Sequence, residues 1–296
     1  MSRAGFCAIL GRPNVGKSTL LNQMVGTKVS ITSSTPHTTR QAIRGILTED
    51  DVQVIFVDTP GMHRPRTSLG GRLNEAARSA ADDVEVVLAV LDAGAAIGPG
   101  DEQTLSTALA SARRGAQMLV VVNKSDRVGR AAVAAQLLSA QASVERLGDE
   151  PAVAARVEYF AVSARTGRGV EALVRHIQRA MPESPLLFPE DEVSDVAEAA
   201  WVGELVREQL LRRTSQELPH SIHCRVVEFE WPHIVVEILV ERESQKGMVI
   251  GKAGQLLKEV GTAARQELPE GTYLELRVRV EPNWQKREDI LDRLGY

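Results

Sequence analysis

The chain has 296 residues, of which 43% are hydrophobic and 25% charged, with a net charge of −4. This is the composition of one large or two ordinary globular domains. It excludes a low-complexity or disordered polymer and supplies no overall positive field for nucleic acid, although a local basic patch can act within an acidic chain. Apolar runs such as Val86–Leu91 are far too short to span a bilayer, and Met1-Ser2-Arg3 leads into the first strand with no expected secretory leader. Cys7 and Cys224 lie far apart in alternating apolar stretches and are expected to be buried thiols of a reducing compartment.

Phe6–Leu10 reads as a short apolar strand, and Thr19–Val25 as a helix ended by Gly26. Between them, Gly11-Arg12-Pro13-Asn14-Val15-Gly16-Lys17-Ser18 fits the phosphate-loop spacing of Gly, four residues, then Gly-Lys-Ser. Glycines let successive backbone N–H groups converge on anionic oxygens, and the following helix aims its positive end at the same point. Lys17 can reach β- and γ-phosphates, and the Ser18 hydroxyl can ligate Mg²⁺. A plain strand–turn–helix corner is the competing reading, and the flanking elements favour the nucleotide.

Val29–Arg40 is hydroxyl-rich and contains Pro36, so it is expected to be a loop. After a phosphate loop, such a segment supplies a Thr to Mg²⁺ and the γ-phosphate, which makes Thr38 and Thr39 switch candidates, with Thr39 preferred. Strands are expected over Ile43–Leu47 and Val52–Val57, the second running into Asp58-Thr59-Pro60-Gly61. Asp58 can hold Mg²⁺ through water, and Gly61 can bring its N–H close to the γ-phosphate.

Further strands are expected at Val84–Leu91, Gln117–Val122 and Val157–Val162, with helices at Asp101–Ala112, Ala131–Leu147 and Gly169–Met181. Alternating strands and helices imply right-handed crossovers and a mostly parallel sheet whose ligands lie beyond the strand ends. Asn123-Lys124-Ser125-Asp126 follows one such end. The Asp126 carboxylate matches the adjacent N1–H and N2–H₂ donors of guanine, and adenine would leave it unpaired. Asn123 can pin neighbouring loops, the Lys124 stem can cover the base, and Ser163-Ala164 can close the pocket, with the Ala164 N–H directed at the guanine O6.

These motifs in this order resemble the translation-factor-type GTPases. The strings Gly11–Ser18, His37-Thr38-Thr39-Arg40 and Asp58-Thr59-Pro60-Gly61-Met62-His63 are similar to the Era family of ribosome-assembly GTPases. The resemblance implies a GTP/GDP site built from Gly11, Arg12, Pro13, Asn14, Val15, Gly16, Lys17, Ser18, Thr19, Asp58, Thr59, Pro60, Gly61, Met62, Asn123, Lys124, Asp126, Ser163 and Ala164. It assigns Mg²⁺ to Ser18, Thr39 and Asp58. Met62 stands where many small GTPases carry a water-orienting Gln, which implies slow intrinsic hydrolysis. Asn14 matches a position that binds K⁺ in some relatives; a simple turn residue is the alternative.

Pro182–Glu192 has three prolines and four acids and is expected to be a semi-rigid linker packed along a surface by Leu186-Leu187-Phe188. The expected division is residues 1–181, a linker at 182–193, and a second domain at 194–296. In the latter, a helix capped by Ser194 runs to Arg213 with an apolar stripe of Ala199, Val202, Val206 and Leu210. Strands Ile222–Phe229 and Ile234–Glu241, a helix at Gly254–Leu268 and a strand at Tyr273–Val280 complete an α-β-β-α-α-β order.

Gly251-Lys252-Ala253-Gly254 joins two helices in this order. Its glycines allow an RNA backbone to approach, with Lys246, Lys252, Lys258 and Arg265 nearby and Val249, Ile250 and Leu257 as a base-holding groove. The domain is acidic overall, with 14 Lys and Arg against 18 Asp and Glu, but a few phosphate contacts need only a few cations. Trp284 is assigned to packing, with stacking on RNA as the alternative.

The loop and element order resemble a type II KH domain, with Ala253 where another Gly is frequent. The expected fold is thus an α/β P-loop GTPase domain followed by a smaller α+β KH domain. RNA-binding residues are then Lys246, Val249, Ile250, Gly251, Lys252, Ala253, Gly254 and Lys258. The family resemblance implies a monomeric, cytoplasmic GTPase that binds the 3′ end of 16S rRNA during 30S assembly, with any membrane contact peripheral. A nucleotide-gated RNA- or protein-binding signalling module with little hydrolysis is the alternative.

Overall fold

A computed structural model describes the chain apart from residues 34, 36–37, 62–66 and 215–217, so Met62 and His37 lie outside the described residues. Contacts divide the molecule into two units. One comprises Met1–Ser30, Thr39–Arg66 and Gly70–Asp195; the other comprises Ile31–Thr38, Thr67–Leu69 and Val196–Tyr296.

The first unit is a six-stranded sheet in the order β2-β3-β1-β4-β5-β6. Its strands are β1 (Arg3–Leu10), β2 (Ile43–Glu49), β3 (Val52–Asp58), β4 (Val86–Asp92), β5 (Gln117–Asn123) and β6 (Glu158–Ala161). All neighbours run parallel except β2, which forms a hairpin with β3. Helices α1 (Lys17–Val25), α2 (Ser68–Ser79), α3 (Pro99–Arg113), α4 (Arg130–Leu147), α5 (Pro151–Ala154) and α6 (Val170–Ala180) complete it.

The central strands read as unbroken apolar runs because both faces are covered. Ala8, Leu10, Val87, Ala89, Leu91, Met118 and Val120 join Leu105 and Ala108 of α3 and Ala140 and Val144 of α4 in one core. The alternate residues Ile9, Leu88, Val90, Leu119 and Val121 are equally buried, and α1 and α6 pack against each other and against β2 and β3. This double winding places the loops after β1, β3, β4, β5 and β6 at one end of the sheet.

Two helices depart from the sequence expectation. Gly70 and Gly71 weaken the helical signal of α2. Pro151 opens a short helix, α5, that the sequence reading lacks, in a first turn where its missing N–H costs nothing.

The proline-rich segment packs on the first unit. Gln53, wholly buried on β3, accepts from the N–H groups of Leu187 (2.8 Å) and Phe188 (3.0 Å) and donates to the Phe188 carbonyl (2.9 Å). Ser194 does not cap a helix: its hydroxyl donates to the Arg44 carbonyl at 2.8 Å, in a bridge between Gly45 and Ser194, and the helix begins only at Glu198 after Ala197.

In the second unit, α7 (Glu198–Arg213) and α8 (Leu218–Ser221) precede an antiparallel pair, β7 (His223–Glu230) and β8 (His233–Val240). Then come α9 (Glu243–Ile250), α10 (Gln255–Arg265), β9 (Tyr273–Val280) parallel to β8, and α11 (Glu288–Arg293). Val202, Val206 and Leu210 of the expected stripe join Val236, Ile238, Val249, Val260 and Ala264 in the core. Yet α7 is buried on its other side too, at Arg207, Glu208 and Gln209. The Thr32 N–H donates to Glu208 Oε1 at 2.8 Å, Arg207 donates to the Thr38 carbonyl, and Gln209 donates to Glu267 at 3.1 Å.

Candidate nucleotide and RNA sites

Between β1 and α1 the backbone turns through left-handed conformations at Asn14 (φ 64°) and Gly16 (φ 96°). A Cβ on Gly16 would lie 2.5 Å from Asn123 Nδ2, and one on Gly11 would lie 2.8 Å from Val15 Cγ2 and 2.9 Å from the Val90 carbonyl. The spacing of the two glycines is thus enforced by packing. Arg12, beside Gly11, points elsewhere, its Nε donating to Asp101 at 2.9 Å. Lys17 lies almost buried under the turn, and its ammonium donates to the carbonyls of Gly11 (3.0 Å) and Arg12 (3.3 Å). Burial lowers its pKa to about 8, partly offset by Asp58.

Ser18, Thr39 and Asp58 converge. Ser18 Oγ donates to Asp58 Oδ2 at 2.6 Å and lies 3.0 Å from Thr39 Oγ1; Thr39 Oγ1 and Ser30 Oγ each donate to the same carboxylate oxygen at 3.2 Å. Asp58 Oδ1 is buried and has no hydrogen-bond partner. Burial raises the Asp58 pKa, opposed by Lys17 and the three hydroxyls. One buried carboxylate with a free oxygen, flanked by hydroxyls, is a hard-oxygen donor set that fits Mg²⁺ directly or through water. Thr38 is turned away, its hydroxyl donating to the Thr35 carbonyl at 2.8 Å. Thr59 is buried with its hydroxyl on the Ile9 carbonyl (2.7 Å), so its side chain ties the β3 turn to β1. A Cβ on Gly61 would meet the Pro13 nitrogen at 2.7 Å, so only glycine lets the β3 turn lie against the phosphate loop.

At the other end of the cleft, Asn123 pins two loops: Nδ2 donates to the Val15 carbonyl (2.9 Å), and Oδ1 accepts from the Ala164 N–H (2.9 Å). The second bond holds the Ala164 N–H on Asn123 Oδ1 and so brings residues 163–164 up to the β5 end. Asp126 is partly exposed. Its Oδ1 accepts from Ser163 Oγ (2.6 Å) and its Oδ2 from the exposed Arg165 side chain (2.7 Å). The Ser163 bond, then Arg165, hold the carboxyl below its usual pKa, so it is an anion ready to accept hydrogen bonds. Two further residues shape this end without any sequence motif to announce them. Arg168 donates to the Ser125 carbonyl at 2.7 Å, and Asp92 accepts from Lys124 at 2.8 Å.

In the second unit, Gly251 (φ 74°), Ala253 (φ 50°) and Gly254 (φ 76°) all have positive φ. A Cβ on Gly251 would lie 2.8 Å from Leu256 Cβ, whereas nothing lies within 4 Å of one on Gly254. The first glycine is therefore needed by the fold, and the second leaves open surface for a backbone to approach. Lys252, Ala253 and Lys258 are exposed, and Lys246 and Ile250 half-buried. Val249 is wholly buried in the core and cannot line a groove, because it occupies the face of α9 turned to the sheet. Ala253 matters more than its size implied: a non-glycine residue in this left-handed geometry is strained by about 1 kcal/mol. Trp284 is also fully buried, with its indole N–H on the Ser221 carbonyl at 2.9 Å, so it packs and does not stack on RNA.

Fold and site together define a P-loop GTPase domain followed by a KH domain. Residues 6–124 match the family described as 50S ribosome-binding GTPase, and residues 217–285 match the KH domain family. The chain is 43% identical to GTPase Era of Mycobacterium avium, across 99% of both chains, and 42% identical to GTPase Era of Mycobacterium tuberculosis across 99% of this chain and 98% of that one. It therefore belongs to the Era family of GTPases. Among solved structures, it is similar to Era in complex with MgGDPNP and nucleotides 1506–1542 of 16S ribosomal RNA (TM-score 0.90, 35% identity, 100% and 99% of the two chains). It is likewise similar to a variant of Aquifex aeolicus Era bound to GDP and AlF₄⁻ (TM-score 0.89, 36% identity, 99% of each chain).

Proposed function

We propose that this protein hydrolyses GTP to GDP and phosphate and, through its KH domain, binds the 3′ end of 16S rRNA as a switch in small-subunit assembly. The observation that carries the reading is the Ser18–Thr39–Asp58 cluster beside Lys17, in a chain similar to Era over its whole length. In this reading, residues 1–181 carry the nucleotide, 182–193 connect, and 194–296 carry the RNA site.

Ser18, Thr39 and Asp58 would hold Mg²⁺, which would supply charge neutralisation at the phosphates. Lys17 presents its ammonium to the same oxygens, and the turn of residues 11–18 presents N–H groups. The work of these residues is positioning and electrostatic stabilisation. Asp126 selects guanine, and Asn123 locks the phosphate loop to the base-side loop. Thr39 belongs to the metal cluster, so its place depends on the nucleotide, and Thr38 beside it is held by Arg207 of α7. Intrinsic turnover is slow because the chain carries Met at position 62 and no water-orienting Gln there. K⁺ at Asn14 is the assigned source of help, and equal hydrolysis rates in K⁺ and Na⁺ buffers would overturn that assignment.

The RNA site consists of Lys246, Ile250, Gly251, Lys252, Ala253, Gly254 and Lys258. The setting is the cytoplasm, with any contact at the inner membrane face peripheral; among the described residues no helix is long and apolar enough to cross a membrane.

The test is binding of a single-stranded RNA matching the 3′ end of 16S rRNA, with GDP or a non-hydrolysable GTP analogue bound. Affinity that differs between nucleotides, and is lost in Lys252→Glu while GDP still binds, supports the switch. No binding in either state removes the rRNA reading and leaves the GTPase.

A further inference from the structure

Asp92 ends β4 directly beside Asn123, its register partner on β5. No motif includes it. Its Oδ2 accepts from the Lys124 ammonium at 2.8 Å, and that ammonium also donates to the Asn14 carbonyl. Its Oδ1 is separately engaged by the Gly94 N–H at 2.9 Å. Both side chains of the ion pair are about four-fifths shielded from water (Lys124 20% exposed, Asp92 19%). The pair therefore lies between a rim contact, which is worth little, and a fully buried one.

We propose that Asp92 is a positioning residue for nucleotide binding: its carboxylate anchors the Lys124 ammonium against the phosphate loop, which lays the Lys124 stem where a guanine base sits. The inference rests on the guanine reading given above. A lysine stem has four rotatable carbons, and one carbonyl cannot hold its ammonium against competition from water. Asp92 supplies the opposite charge and the second hydrogen bond. The same contact draws the ammonium onto Asn14, whose left-handed backbone (φ 64°) shapes the turn. One carboxylate on β4 therefore organises a residue on each side of the cleft. Asn123 does this for Val15 and Ala164 by hydrogen bonds alone; Asp92 does it with charge.

Asp92→Asn separates this role from a local turn role, because the amide retains an oxygen for the Gly94 N–H and loses the charge together with the acceptor that faces the Lys124 ammonium. The experiment measures binding of fluorescent GDP to the full chain and to Asp92→Asn, Lys124→Ala and the double variant, with the thermal midpoint of each. The expected result is an affinity about tenfold lower for Asp92→Asn, an equal or larger loss for Lys124→Ala, and a double variant no weaker than Lys124→Ala alone. Equal fold-losses from Asp92→Asn in both backgrounds would overturn the proposal, since Asp92 would then act without Lys124. Unchanged affinity in Asp92→Asn while Lys124→Ala weakens binding would also overturn it and leave the guanine reading intact. Unchanged affinity in Lys124→Ala would also overturn the proposal, since the Lys124 stem would then carry no part of nucleotide binding, and would leave the Asp126 reading of guanine standing. Partial recovery in Asp92→Glu would mark charge, and not shape, as what the site requires.

Discussion

At the phosphate loop, Lys17 and Asp58 lie buried among hydroxyls and carbonyls. At the Gly251–Gly254 loop, Lys252 and Lys258 stand in solvent and the backbone is held in left-handed turns. One site binds a small, highly charged ligand by enclosing it, and its groups are fixed in advance by packing. The other, in the proposed reading, meets a long polyanion from outside, where a few exposed cations and an accessible backbone suffice. The difference teaches where each site is fragile: the first to loss of one buried group, the second to loss of backbone shape.

Four experiments sharpen that contrast. Lys17→Ala is expected to lower GDP affinity on the order of a hundredfold or more, since truncating a buried charged partner leaves the opposing group unpaired; RNA binding measured without nucleotide should persist. Gly251→Ala places a Cβ 2.8 Å from Leu256 and forces alanine to φ 74°, so a loss of about 1–3 kcal/mol is expected in denaturant unfolding, with RNA binding weakened and GDP binding retained.

The third is a pH series. Free Lys17 titrates near 8, and phosphates beside it favour its charged form, so the bound pKa lies higher. Binding then takes up a proton, and GDP affinity should be level below pH 8 and fall as pH rises above it; titration calorimetry in buffers of different ionisation enthalpy checks the uptake. The smallest effect is Ala253→Gly, expected to stabilise the second unit by about 1 kcal/mol by relieving the left-handed alanine, before the added chain entropy of glycine is subtracted. An unchanged denaturation midpoint would mean that these two terms cancel.

The first unit was legible because its chemistry sits in contiguous strings at strand ends, where Gly16, Lys17, Asp58 and Asn123 are fixed by local sequence as much as by the fold. What stayed hidden was set by partners distant in sequence. Asp92 looks like any acid after a strand until Lys124 is beside it. Gln53 reads as one polar residue in an apolar strand, and only the linker backbone explains its burial. Val249 was assigned to a groove because a sequence shows that a residue is apolar but not which way its helix is rotated. The apolar stripe on α7 shows one buried side, and nothing in the sequence marks Arg207 and Glu208 as a second, because their partners are backbone atoms some 170 residues earlier, such as Thr32 (176 positions from Glu208).

That last feature bears on how the protein is made. Residues 31–38 belong to a unit whose bulk, Val196–Tyr296, is synthesised much later, and Glu208 follows Thr32 by 176 positions. At about 5–20 residues per second, roughly 10–35 s separate the two on the ribosome. During that interval the segment next to Thr39 lacks the helix that later holds it, so the contacts around the second unit's buried arginine and glutamate are completed only once α7 has been made.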